Sequence, residues 1–202
     1  EAPMFNLDLD YADWSRRLDE LGLERTAVTI RLEEDNPISP DAAVRALGVD
    51  GNKRTLDCCQ ALGAQTLVGP YHSATGLFSG QGPTEDEWKW GVDSMRQVAE
   101  HAGEVGVMLG VECLNRFETD LLNCHADSTR FVREVDHPNC RMMYDTFHAN
   151  SEDKDQAAAI RERIVVLCHV HIPENDRSTP GHGAVPWDLT LDTLQQVAYH
   201  PT

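Results

Sequence analysis

Basic residues are scarce in this 202-residue chain, where 17 lysines and arginines stand against 34 aspartates and glutamates and leave a formal net charge of -17. A surface of that sign repels phosphate backbones on average, so a nucleic-acid partner is set aside. The acids are spread along the chain and not gathered in one run, which assigns most of them to solubility and leaves a minority for a metal. Long apolar runs are also missing. None approaches the roughly 18 residues of a membrane span, and the region after Glu1 lacks the basic start and apolar stretch of a signal peptide. No membrane partner is expected, and a cytoplasmic location is. The six cysteines, at Cys58, Cys59, Cys113, Cys124, Cys140 and Cys168, lack the paired C-x-x-C spacing of a zinc or redox site. They read as reduced thiols, with Cys58 and Cys59 expected in the core.

What is present describes an ordinary globular chain, 41% hydrophobic and 25% charged, most simply one domain over residues 1–202. Its ends look cut: the first residue is Glu1 and not Met, and Tyr199-His200-Pro201-Thr202 follow a helical stretch without an obvious stop. Truncation at both ends is expected.

Helical segments alternate with short apolar runs, the pattern of a parallel α/β fold. Helices are expected at Trp14 to Leu21, Asp41 to Leu62, from about Thr84 to before Gly106, Ala126 to Val135, and Asp153 to Arg163. The second is closed by Gly63, and the third opens on Thr84-Glu-Asp-Glu87, which has the form of a capping box. Strands are expected at Thr26 to Leu32, Thr66 to Tyr71, Val107 to Glu112, Arg141 to Asp145 and Val165 to Ile172, with a stub at Ala2 to Phe5. An open doubly wound sheet and a closed barrel both fit this rhythm.

The polar residues separate the two. In a barrel the chemistry gathers at the C-terminal ends of the strands. Glu112 closes one apolar run, Asp145 closes the next, and His171 stands near the end of a third. Any one of them reads equally well as a hydrogen-bonded strand end; three in series point to one mouth. Two carboxylates and an imidazole suit a hard or borderline divalent ion, Mn²⁺ first with Mg²⁺ or Co²⁺ as alternatives, better than a thiol-rich zinc site. Their ligating atoms are expected within roughly 3 to 5 Å of one another. His169 is expected to face away from His171 and to be packed, and Glu174, in a loop, is a weaker metal candidate. Trp88 and Trp90 are expected outside the barrel. His72, Phe78 and Trp187, placed after strands, are candidates to line or cover the pocket.

The strings Val111-Glu-Cys-Leu-Asn-Arg-Phe-Glu118, Tyr144-Asp-Thr-Phe-His148, His171-Ile-Pro-Glu-Asn-Asp-Arg177 and Pro180-Gly-His-Gly-Ala-Val-Pro-Trp-Asp188 closely resemble the D-tagatose 3-epimerase (D-psicose, or allulose, 3-epimerase) family. Ser39-Pro-Asp-Ala-Ala-Val-Arg45 is similar to the same family's third loop and helix. The resemblance covers nearly the whole chain. It implies an incomplete xylose-isomerase-like (β/α)₈ TIM barrel, with Ala2 to Phe5 ending the second strand and Val165 to Ile172 forming the seventh. It also implies that Glu112, Asp145 and His171 match three of four metal ligands and that Glu112 matches one of two catalytic glutamates. Glu118, His148 and Arg177 match residues that grip the substrate. The fourth ligand, which is the second catalytic glutamate, lies on the family's last strand, expected beyond Thr202.

That chemistry explains the residue types. Epimerising a ketose at carbon three removes a proton beside the carbonyl; a metal chelated by the oxygens of carbons two and three stabilises the enediolate, and carboxylates on opposite faces remove and return the proton. A small-molecule ketose is therefore the expected substrate, and the resemblance implies a homo-oligomer. Rival readings are a hydroxypyruvate isomerase or inosose dehydratase of the same superfamily, against which Asn115-Arg116-Phe117-Glu118 argues, and a non-catalytic sugar-binding remnant. A nuclease related to endonuclease IV fits less well, given the charge. The isolated chain is expected to be poorly stable and essentially inactive, and extension through the next strand to recover both; robust activity without it would make Glu34 the first suspect for the second face.

Overall fold

The computed structural model describes residues 1–200. Six parallel strands lie side by side in sequence order: β1 (Ala2–Pro3), β2 (Ala27–Val28), β3 (Thr66–Gly69), β4 (Met108–Val111), β5 (Cys140–Asp145) and β6 (Leu167–His171). A doubly wound sheet reverses its strand order at a switch point; this sheet does not, as in a barrel. Helices return the chain between strands: α1 (Tyr11–Glu20), α2 (Ala42–Leu62), α3 (Glu85–Val105), α4 (His125–Val135), α5 (Thr146–Glu152) and α6 (Gln156–Arg161), with α7 (Trp187–Gln196) after β6.

Local chemistry sets these boundaries. The Asp41 side chain accepts from Ala43 N and starts α2, which stops at Gly63, while Thr84 and Glu87 form the reciprocal capping box that starts α3. The first helix begins earlier than the expected Trp14, because Asp10 caps it through Asp13 N. The run expected as a strand over Thr26 to Leu32 narrows to Ala27–Val28, and the chain then turns through a 3₁₀ segment at Glu33–Asp35. A second such turn, Ile164–Val166, takes the beginning of the sixth expected strand.

All four residues of β3 are buried. Leu56, Leu67, Leu109 and Met142, wholly removed from water, join α2, α3 and α4 to the sheet in one apolar cluster, each contributing about 2 kcal/mol by burial. Tyr144, Ala149, Ala159, Ile160 and Leu167 form a second cluster under α5 and α6. Cys59 is in the core as expected, whereas Cys58 is only half-buried. Trp88 and Trp90 lie on α3, under the guanidinium groups of Arg130 and Arg45.

Register carries the strand ends to a common level. Gly69 pairs with Val111 and Asp145 with His171. The next residue after Val111 is Glu112, whose backbone N–H donates to the Gly69 carbonyl at 3.1 Å. The ladder thus runs one residue past β4 and holds Glu112 at the rim of the sheet.

Candidate metal centre

Glu112 and Asp145 are 8% and 6% exposed. Asp145 is both the last residue of β5 and the N-cap of α5: its Oδ1 accepts from Phe147 N at 2.7 Å and His148 N at 3.2 Å. That use of one oxygen leaves Oδ2 facing His171 Nδ1 at 3.6 Å. Glu112 Oε1 lies 3.7 Å from His148 Nε2, and Glu112, Asp145 and His148 each offer a ligand atom within 4.8 Å of the others. A second trio, Glu1, His169 and His171, meets the same limit, with Glu1 Oε2 at 2.9 Å from His171 Nε2 and 3.5 Å from His169 Nε2.

His169 therefore does not face away from His171. Residues two apart on a strand share a face, and the two rings stand edge to face with centroids 5.1 Å apart.

Two imidazoles thus approach the carboxylates, and hydrogen bonding decides which can ligate a cation. Asn115 N donates to His148 Nδ1 at 2.8 Å. This occupies the Nδ1 lone pair, so the neutral ring carries its proton on Nε2, the nitrogen that faces Glu112, and has no lone pair there for a metal. His171 is arranged the other way. Its Nε2–H has a carboxylate acceptor in Glu1, so that on loss of the second proton Nδ1, 3.6 Å from Asp145 Oδ2, is the nitrogen freed to ligate, the arrangement of a ligating histidine oriented by a carboxylate behind it. The donor chemistry thus favours His171 over His148 as the imidazole ligand, although the trio whose ligand atoms all lie within 4.8 Å is the one containing His148.

The protonation energetics agree. Burial, and then the neighbouring Asp145 charge, push the Glu112 carboxyl up to about 8. Burial would lower His171, but hydrogen bonds to Asp145 and Glu1 override it and raise the imidazole to about 10. Burial lowers His148 below its ordinary range, in keeping with a neutral ring. Asp145, despite burial, is held below the usual carboxylate range by His171 and His148. Positive charge is wanted at this point, and protons supply it where no cation does.

Around it stand the residues expected to grip a substrate. Arg177 Nη2 donates to both oxygens of Glu118, at 2.9 and 2.7 Å, and its guanidinium lies 4.2 Å over the Phe147 ring. Glu118 Oε2 also accepts from Asn115 Nδ2 and lies 4.0 Å from His148 Nδ1. Asn115 and Glu1 were not singled out by residue type; the first fixes the His148 tautomer and the second holds His171. Of the pocket candidates, His72 is fully buried and packs on Phe131, so it is a core residue and not a lining one. Trp187 turns to Glu174, and Phe78 stays partly exposed in the loop after β3. Glu34 is exposed in its 3₁₀ turn.

Among characterised proteins the chain is similar to L-ribulose 3-epimerase of Mesorhizobium japonicum, 35% identical over 95% of this chain and 64% of that protein. It is also similar to D-psicose 3-epimerase of Agrobacterium fabrum, 34% identical over 95% of this chain and 67% of that protein. A solved structure of an L-ribulose 3-epimerase superposes with a TM-score of 0.93 at 31% identity, covering 96% of this chain and 65% of that one. The chain thus spans about two thirds of the length of the curated relatives it matches. The profile of one family matches residues 3–201, nearly end to end, and with the sequential parallel strands it settles the assignment: the chain belongs to the xylose isomerase-like TIM barrel family.

Proposed function

We propose that the protein carrying this chain is a divalent-metal-dependent ketose 3-epimerase, with Glu112, Asp145 and His171 as metal ligands and Mn²⁺ as the preferred ion. The observation that carries the reading is the approach of His171 Nδ1 to the free oxygen of Asp145 beside buried Glu112, ringed by Glu118, His148 and Arg177. The names of the relatives, L-ribulose and D-psicose 3-epimerases, support the substrate class. A divalent cation held there supplies Lewis-acid polarisation of the sugar's carbonyl.

The chain's own residues account for the rest. Glu112, buried at the rim of the sheet, is placed to take the proton at carbon three as well as to hold the metal. His148 offers a fixed Nε2–H, and Arg177 a fork of donors, to oxygens on which negative charge grows. The proton is returned on the opposite face by a second carboxylate, carried on a strand beyond β6. The test is direct: D-psicose or L-ribulose, incubated with the full-length protein and Mn²⁺, is converted to its carbon-three epimer, and a chelator stops the conversion. An aldose as the only product would contradict the reading.

Binding of the cation has a signature of its own. Glu112 near 8 and His171 near 10 both hold protons at neutral pH, and both must lose them to ligate. Calorimetric titration with Mn²⁺ at pH 7, in buffers of different ionisation enthalpy, is expected to show about one to two protons released per ion, with affinity rising as pH rises. No proton release would contradict the ligand set. Replacing Arg177 by alanine removes charge-assisted hydrogen bonds worth about 1.5–3 kcal/mol, so the Michaelis constant rises and turnover falls while Mn²⁺ affinity stays within about twofold. A variant that loses the metal would place Arg177 elsewhere in the mechanism.

A further inference from the structure

The loop between β6 and α7 has no regular backbone, yet it carries Arg177 to the site. At its centre is Glu174, which is wholly buried. Its Oε1 accepts from Gly181 N at 2.7 Å and from the Trp187 indole N–H, and its Oε2 from Val185 N at 3.2 Å and Asn175 N at 3.3 Å. Four donors spread from Asn175 to Trp187 thus converge on one carboxylate, which has no lone pair left for a cation and is not a metal ligand.

The loop is shaped to this carboxylate. A Cβ on Gly183 would lie 2.4 Å from Glu174 Oε2 and 2.3 Å from Asn175 Oδ1, so a larger residue there would push these hydrogen-bonded side-chain ends aside. Burial would raise the Glu174 carboxyl, but the hydrogen bonds, that of Trp187 first, hold it down to about 2, so it is ionised at neutral pH.

From Glu174 the chain turns directly into Arg177. Arg177 N donates to Glu174 O at 2.9 Å, and Glu174 N to Ser178 O at 3.2 Å. Arg177 itself sits at a φ of 61°, the left-handed region that a side chain of its size adopts only where its surroundings hold it. On the other side, Thr146 Oγ1 donates to Pro173 O at 2.6 Å and ties the loop to the helix that bears His148.

We propose that Glu174 is a positioning residue: its carboxylate gathers the loop after β6 and thereby holds Arg177 in its strained backbone conformation, poised over Phe147 and against Glu118. The inference rests on the reading of Arg177 as a substrate-gripping residue.

The test is a double-mutant cycle in the full-length protein with Glu174→Gln, Arg177→Ala and both. The glutamine keeps the shape but points an amide at N–H donors. Glu174→Gln is expected to lower kcat/KM for D-psicose about 10- to 100-fold with Mn²⁺ affinity unchanged, and to cost less than about threefold more when Arg177 is already alanine. Multiplicative effects, or a tenfold loss of Mn²⁺ affinity, would overturn the proposal. A second readout needs no substrate: in ¹H–¹⁵N spectra, Glu174→Gln should move the Trp187 indole signal and return the Arg177 Nε signal to the position of a free arginine. An unmoved Arg177 signal overturns the proposal, whereas the expected collapse in a protein that turns over no ketose upholds it while failing the epimerase reading. Should Glu174→Gln not fold, Trp187→Phe removes one donor only, and is expected to give a smaller loss that likewise vanishes in the Arg177→Ala background; persistence of that loss overturns the proposal.

Discussion

Glutamine in place of Glu112 is expected to reduce carbon-three epimerisation by about 10³-fold or more in the full-length protein, since it removes both a general base and a metal charge. The fold should persist. The backbone of Glu112 still donates to Gly69 O, and the carboxyl, raised to about 8, is already neutral at pH 7 without a cation, so a neutral amide of the same shape costs little. Unchanged circular dichroism and a melting temperature within a few degrees of the parent would accompany the loss of turnover. Activity within tenfold of the parent would mean that another residue is the base.

The largest expected effect on stability lies one strand away. Gly69 has a φ of 126°, and a Cβ there would sit 2.2 Å from the carbonyl oxygen of Thr29. Neither atom belongs to a flexible side chain, so Gly69→Ala forces the backbones of β2 and β3 apart. Backbone strain and overpacking each cost about 1–3 kcal/mol, and together about 3 kcal/mol or more is expected. Thermal denaturation should register a fall of about 6–12 °C. Because Gly69 O receives Glu112 N, Mn²⁺ affinity should fall in the same variant. A loss below about 1 kcal/mol would show that the sheet yields at this point.

Elements whose ends are set locally were legible from sequence. Asp41 and Gly63 bound α2, and Thr84 with Glu87 opens α3, because each cap satisfies backbone groups within a few residues of itself. Glu112 and Asp145 were legible as polar ends of apolar runs. Helix α5 was not, since Asp145 serves as strand end and helix cap at once and leaves no linker to read. The orientation of His169 was open to the period-two rule, which puts it on the face of His171. Long-range matters were not legible. The tautomer of His148 depends on Asn115, 33 residues away, and the role of Glu174 depends on donors brought together by the loop's path. Glu1 reaches His171 across 170 residues of sequence, a contact that curling of the sheet makes between its two edge strands.

Deuterium exchange at carbon three tests the central claim most directly. In D₂O with Mn²⁺, the full-length protein is expected to place deuterium at carbon three of D-psicose and of its epimer, and at no other carbon. Chelation, Glu112→Gln and His171→Ala should each abolish the exchange, while His148→Ala leaves Mn²⁺ bound. Exchange at carbon one, or exchange at carbon three that survives removal of the metal, would contradict the assignment of Glu112, Asp145 and His171 as the metal centre of a ketose 3-epimerase.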